Sequence, residues 1–352
     1  MNQRKLNRRQ QWRAEKIQQE RSARAAKQER DLDQQLESSE LGDEQLGLVV
    51  SRYSKEFEVE ALEGRNAGQL HRCLARTNLG SIVAGDRVIW RPALASSGII
   101  VSREPRVSVL ERPDNFGRLK AVAANIDQMI VVIAATPSPQ ANLIDRYLVA
   151  AELLNIRPVL VLNKADLIDT NNKPMLTSLL ERYANLGYCT AKVISAKNET
   201  TDLEALKSLI ADRTSIIVGQ SGVGKSSLIN GLLPDAQLAV GELSHASGEG
   251  THTTTRAAAF HLVNGGMLID SPGIRDFSLW HIGIGDLQKG FVEIADFATQ
   301  CKFRNCQHDA EPGCAVLSAV SKGQIDSARF ASYKTTKLAI DEQQARGLGT
   351  TY

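Results

Sequence analysis

The run Gly219-Gln220-Ser221-Gly222-Val223-Gly224-Lys225-Ser226, with Ser227 behind it, follows the apolar stretch TSIIVG (214–219) and opens a helical segment. This is the phosphate-loop pattern in the strand–loop–helix setting that gives the pattern meaning. Its glycines let backbone N–H groups converge on a phosphate at the positive end of the helix that follows. That geometry needs a strand ending beneath the loop and a helix leaving it, so a chain carrying it is committed to an α/β architecture. In this reading Lys225 bridges the β- and γ-phosphates and Ser226 ligates Mg²⁺.

The flanking sequence agrees. MIVVIAA (129–135) reads as a buried strand, a helix follows over Leu143–Leu154, and PVLVLN (158–163) is the next strand. Helix 175–186, strand 190–195, helix 202–210 and strand 214–219 continue the alternation, which predicts a parallel, doubly wound sheet. AAAFHLV (257–263) and MLID (267–270), joined at Asn264-Gly265-Gly266, read as a hairpin.

Three more motifs fall at the carboxyl ends of these strands, where open α/β sheets bind ligands. Asn163-Lys164-Ala165-Asp166 ends PVLVLN. A carboxylate such as Asp166 accepts from guanine N1–H and the 2-amino group. Adenine offers neither, and leaves the acid unpaired at a cost of about 1–3 kcal/mol. Lys164 can lie over the base, and Asn163 can tie its loop to the phosphate loop. Ser195-Ala196-Lys197 ends the next strand, where its backbone can donate to guanine O6. Asp270-Ser271-Pro272-Gly273 closes MLID: Asp270 can hold Mg²⁺ through water, and the Gly273 N–H can reach the γ-phosphate. An NKxD tetrapeptide or a Pro-Gly turn alone also fits an ordinary strand end. The four together point to GTP.

Their order is unusual. A Ras-type GTPase runs phosphate loop, switch I, DxxG, NKxD, SAK, whereas here NKAD and SAK come first, then the phosphate loop, then DSPG. The domain reads as a circular permutation. The DSPG loop then leads straight into the C-terminal segment, so a γ-phosphate-dependent movement acts on the next domain. At the switch I position lies Gly250-Thr251-His252-Thr253-Thr254-Thr255, where Thr254, with Thr253 second, is the expected Mg²⁺ ligand. The residue after DSPG is Ile274, where Ras-type enzymes carry a water-orienting Gln, so intrinsic turnover is expected to be slow. His252 is the nearest catalytic candidate, as a water-positioning or general-base residue, the alternative being that it packs the switch or contacts a partner.

Cys301-x₄-Cys306-x-His308-x₅-Cys314 gathers three thiols and one imidazole within 14 residues. A closed Cys₃His set is a structural zinc site rather than a catalytic one. Lys302 and Arg304, between ligands, suit phosphate contact. Cys73 and Cys189 read as small core residues. Residues 315–346 have helical spacing and are expected to dock on the zinc loop.

Ahead of the α/β segment, LGLVVS, EFEVEAL, LHRCLA, DRVIW and GIIVSRE are five short strand-like runs separated by glycines, which predicts a small OB-type barrel over 46–112. That segment carries ten Arg/Lys against seven Asp/Glu, and such barrels often bind RNA. Tyr53, Phe57 and Trp90 serve either stacking or the core. Residues 1–30 hold ten Lys/Arg against three Glu, and 31–45 hold six acids and no base. A basic arm ahead of an acidic linker fits a polyanion-binding extension, or a solvated tail. No stretch of 18 apolar residues exists, and the amino-terminal run lacks an apolar core segment, so neither a membrane span nor a secretory leader is expected and the reading is cytoplasmic.

The permuted motif order, GxHTTT, DSPG before an apolar residue, the preceding barrel and the C-x₄-C-x-H-x₅-C tail together resemble the ribosome small subunit-dependent GTPase A family, RsgA (also YjeQ), over about residues 46–340. Residues 1–45 lack an apolar periodicity and read as a flexible extension; the resemblance implies an OB domain over 46–112, a permuted GTPase domain over 113–283 and a helical zinc-binding domain over 284–352. It further implies binding of GTP and GDP, one structural Zn²⁺, Mg²⁺ with the nucleotide, and docking on 16S rRNA of the 30S subunit late in its assembly. Hydrolysis is then slow alone and faster on the subunit. Thr251 departs from the family pattern, which leads us to expect Arg or Gln there. A monomer is expected, and the short end after 346 leaves little for a tail to contribute. The competing reading is an RNA-binding module that senses GTP or GDP with negligible turnover.

Overall fold

The computed structural model describes residues 41–53, 55–94, 96–113, 118–194, 203–233, 257–270, 279 and 282–345. They form two compact units, one from the residues up to Ile82 together with Asp86–Pro105, the other from Val83–Gly85 and the residues from Arg106 onward.

The first unit is a closed five-stranded barrel. β1 (Gln45–Tyr53), β2 (Glu56–Ala61) and β3 (Leu70–Ala75) form an antiparallel meander. β4 (Arg87–Pro92) and β5 (Ser97–Arg103) pair antiparallel, β5 runs parallel to β3, and β4 returns to β1, which closes the barrel. In β2 the sequence EFEVEA buries Phe57, Val59 and Ala61 and turns its glutamates outward, the two-residue period of a strand with one wet face. Trp90 is fully buried, and its indole fills the space that side chains at Gly47 and Gly98 would take: a Cβ there would lie 2.6 Å from the ring. Phe57 and Trp90 therefore serve the core, while Tyr53 is half-buried beneath the Arg72 guanidinium, 5.5 Å from its ring centre. Cys73 is core as expected, and burial pushes its thiol up to about 12.

Residues 106–112, expected with the barrel, lie instead in the second unit. β6 (Val109–Pro113) finds its partner in β7 (Leu119–Ala124). The Ser108 hydroxyl fixes the pair's base, donating to the Ile126 carbonyl at 2.8 Å and accepting from the Ile126 N–H.

The second unit is built on β8 (Gln128–Ala134), β9 (Arg157–Asn163), β10 (Cys189–Lys192), β11 (Thr214–Val218), β12 (Ala258–His261) and β13 (Met267–Asp270). Their spatial order is β10-β9-β8-β11-β13-β12, all parallel except β12, which pairs antiparallel with β13 as the hairpin pattern predicts. β10 stops at Lys192 rather than 195, and Cys189 is half-buried against the core rather than within it. β8 is buried along its whole length, as a central parallel strand must be. Ile130, Val132 and Ala134 pack on α3 (Leu203–Ile210) and α4 (Lys225–Leu232). Val131 and Ile133 turn toward α1 (Ala141–Leu153). α2 (Lys173–Asn185) links β9 to β10. The C-terminal helices α5 (Ile284–Gly290), α6 (Val292–Ala298), α7 (Ala315–Ser321) and α8 (Ser327–Ala345) belong to this unit too. Among the described residues no helix is long and apolar enough to cross a membrane.

Candidate nucleotide and metal sites

The chain runs from β8 outward to β9 and β10, then returns to the other side of β8 with β11. This reversal opens a crevice at the carboxyl ends of β8 and β11, where doubly wound sheets take ligands. The phosphate loop leaves β11 at that point, the NKAD loop leaves β9, and Asp270 ends β13.

The loops are bonded to one another. The buried Asn163 amide donates to the carbonyls of Val223 at 3.0 Å and Gly224 at 3.3 Å. Gly224 has φ +91, and a Cβ there would lie 2.4 Å from that amide nitrogen, so glycine is needed on both counts. Lys164, itself left-handed at φ +56, donates to the carbonyls of Gly222 at 2.6 Å and Thr136 at 3.2 Å. Ala165 and Asp166 begin a single 3₁₀ turn, with Asp166 exposed. Lys225 donates to the Gly219 and Gln220 carbonyls, both at 2.8 Å, which holds its ammonium against the loop. Ser226 and Ser227 occupy the first turn of α4, whose N-cap is Gly224. Such an end offers N–H groups and positive potential to an anion. Beneath the loop, Gly219, Gln220 and Val223 share a small apolar cavity with Pro139, Leu143 and Tyr147, so α1 adjoins the phosphate loop. Burial raises the Asp270 carboxyl above its usual range and the Lys225 ammonium opposes the shift. A half-buried carboxylate beside a phosphate loop is a natural partner for a divalent cation.

Ser195, Ala196 and Lys197, the switch residues His252, Thr253 and Thr254, and Gly273 with Ile274 lie outside the described residues, as does the arm at 1–40.

The Cys₃His cluster is assembled. The ligand atoms of Cys301, Cys306, His308 and Cys314 all lie within 4.8 Å of one another. His308 Nδ1 is 3.4 Å from Cys314 Sγ and 3.7 Å from Cys301 Sγ, and those two sulfurs are 3.9 Å apart. A zinc tetrahedron with Zn–S of about 2.3 Å and Zn–N of about 2.0 Å has edges of about 3.5–3.8 Å, so the residues fit that ion. Burial opposes ionisation of Cys301, yet the Val316 and Ala315 N–H groups outweigh it and hold the thiol below its ordinary value. Cys306 is pushed up to about 12, by burial first and then by the Cys314 and Cys301 thiols beside it. Such crowding is relieved by a cation at the centre. Cys314 also caps α7, its sulfur accepting from the Leu317 N–H. Glu311 braces the knot, accepting from the backbone of Gln307, Asp309 and Ala310.

Sequence reasoning missed the polar group that joins these helices to α1 and α2. Arg329 of α8 is 1 % exposed and pairs with Asp145 of α1 at 2.6 Å and with Glu293 of α6 at 2.7 and 3.0 Å. The Tyr183 hydroxyl donates to the same Asp145 oxygen at 2.6 Å. Burial works against the guanidinium's charge, but the Glu293 and Asp145 carboxylates prevail and raise its pKa. The available signal was an aspartate on the apolar face of a helix, between Ile144 and Leu148.

Comparison with known proteins agrees with this arrangement. Residues 103–280 match the model of the RsgA GTPase family. The small ribosomal subunit biogenesis GTPase RsgA of Marinobacter nauticus is 50% identical over 351 residues, covering 100% of both chains. That of Ectopseudomonas mendocina is 52% identical over 342 residues, covering 97% of this chain and 99% of the relative. The crystal structure of YjeQ from Thermotoga maritima superposes with a TM-score of 0.68 at 31% identity, covering 85% of this chain and 99% of that one. YloQ, described as a circularly permuted GTPase, superposes with a TM-score of 0.67 at 26% identity, covering 86% of this chain and 96% of that one. Carrying the permuted motif order on a P-loop sheet behind a five-stranded barrel, the chain belongs to the RsgA GTPase family and is a GTP-hydrolysing enzyme.

Proposed function

We propose that this GTPase docks on 16S rRNA of the 30S subunit as a late-stage maturation checkpoint, and that the subunit stimulates a hydrolysis step coupled to release. The observation that carries the nucleotide half is the bonding of the NKAD loop onto the phosphate loop, Asn163 to Val223 and Gly224, and Lys164 to Gly222. It sets the base-reading acid, Asp166, at a fixed span from the phosphate-binding glycines, which suits one nucleoside triphosphate. The ribosomal half is supported by relatives named for small-subunit biogenesis that share half of their residues with this chain along its whole length.

In this reading Asp166 accepts from guanine, Ser195–Lys197 donate to O6, and residues 219–227 cradle the phosphates. Ser226 and Thr254 hold Mg²⁺, with Asp270 behind it through water. Gly273 senses the γ-phosphate and His252 orients the attacking water, since Ile274 cannot. The C-terminal Cys₃His site holds one structural Zn²⁺. The protein works as a cytoplasmic monomer, with barrel, zinc domain and basic arm contributing RNA affinity.

Phosphate release from GTP and from ATP, with and without purified 30S subunits, tests this. GTP-selective release that rises on adding subunits is expected. Flat, negligible release in both conditions overturns the checkpoint in favour of a nucleotide-sensing RNA-binding module.

A further inference from the structure

His308 presents its two ring nitrogens to different surroundings. Nδ1 faces the sulfurs of Cys314 and Cys301 at 3.4 and 3.7 Å, so that nitrogen must carry the lone pair if the ring is to ligate. A neutral imidazole then keeps its proton on Nε2. His308 is 1 % exposed, and its Nε2 lies 3.1 Å from Oε1 of the half-buried Gln288.

Gln288 belongs to α5, outside the knot and twenty positions upstream. That helix is itself fixed. Leu287 is fully buried, and Gly290 meets α1 so closely that a Cβ there would lie 2.5 Å from Val149. The rest of the ring's setting comes from α8: Lys337 donates to the Gln307 carbonyl at 3.0 Å, and the Tyr333 ring centre is 6.3 Å from that of His308. His308 is also left-handed, at φ +59, which aims its side chain back into the knot.

We propose that Gln288 is a positioning residue of the metal site: its carbonyl oxygen accepts the Nε2–H bond, fixes the tautomer and leaves Nδ1 for the ion. The proposal rests on the reading of the Cys₃His cluster as a zinc site. Partners of this outer kind typically account for 10- to 100-fold in metal affinity.

The test is zinc competition on the full chain with a chromogenic chelator, comparing wild type, Gln288→Met and Gln288→Glu, with far-UV spectra of each at saturating zinc. Met keeps the length and removes the acceptor, whereas Glu keeps an oxygen in the same place. Gln288→Met is expected to bind zinc about 10- to 100-fold more weakly, and Gln288→Glu to match or exceed wild type. Equal affinity in wild type and Gln288→Met, or equal losses in both variants, overturns the role of Gln288, because the glutamine is then only packing. Wild type that takes up no zinc overturns the metal reading instead, so the two failures are distinguishable.

Discussion

At the scale of single residues, Asp270, in the proposed Mg²⁺ role, is a group held against its own preference. It ends β13, burial raises its carboxyl, and the nearby Lys225 ammonium recovers only part of the shift. A folded-state pKa above the unfolded one means that the native state binds the proton more tightly. Ionisation therefore costs stability at neutral pH, and the cost fades as pH falls through the raised folded-state pKa and is gone below the ordinary carboxylate value, about 4. Asp270→Asn removes the cost. Without nucleotide, the variant is expected to melt no lower than wild type near neutrality, with the gap closing toward pH 4. With Mg²⁺ and GTP it is expected to lose most of the ligand-induced rise in Tm. Melts across pH, with and without ligand, check both halves. A nucleotide-free variant that melts well below wild type at pH 7.5 would mean the carboxylate holds the fold together.

At the scale of elements, a fully buried ion group ties α1 to the C-terminal helices: Arg329 of α8 lies between Asp145 on α1 and Glu293 on α6. Truncating one member of a buried ion group strands the others, at a cost of about 3–5 kcal/mol. Arg329→Met is expected to lose that much in urea denaturation. Replacing all three with apolar residues of similar volume is expected to recover most of it. A loss below about 1 kcal/mol for the single variant would rule out the group as an anchor. Much of this architecture was legible in the sequence. MIVVIAA and PVLVLN are near-continuous apolar runs of strand length, the pattern of a strand buried on both faces, and the three nucleotide motifs whose strands are described sit at strand ends because strand ends are where such loops leave. The Asp145–Arg329 pair was not legible, because its partners are 184 positions apart and nothing local to either marks the other. The end of the barrel at Pro105 was also hidden. Val109–Pro113 reads equally well as a sixth run of the barrel, and only its register with Leu119–Ala124 assigns it elsewhere. Gln288 escaped notice because a half-buried glutamine on a short helix has no sequence signature as a histidine's partner.

At the scale of the whole molecule, the permuted order sends the chain from Asp270 directly to α5, which packs on α1, which in turn adjoins the phosphate loop. The C-terminal helices thus reach the phosphate loop through α1. Under the proposed mechanism, RNA that completes this arrangement raises turnover through His252. His252→Ala is expected to lower subunit-stimulated kcat by about 10²–10⁴-fold while sparing GTP affinity, a split that single-turnover kinetics resolves. Unchanged stimulated turnover would return His252 to a packing role.

Under the same proposal, the amino-terminal arm acts on a separate quantity. Its first 30 residues carry ten Lys/Arg against three Glu, and the acids at 31–45 separate that charge from the barrel. Each basic residue that reaches a phosphate releases counterions, so its contribution appears as a steeper fall of affinity with salt, by about 0.7–0.9 in the log–log slope per contact. Removing residues 1–30 is expected to flatten that slope by several units and to leave GTP turnover without subunits unchanged, because the arm carries none of the nucleotide motifs. Subunit binding measured from low to physiological salt, with and without the arm, separates the possibilities. Parallel slopes would make the arm a solvated tail. A flatter slope with the same intercept at 1 M salt would show that the arm adds electrostatic attraction alone, leaving recognition to the barrel and the C-terminal domain.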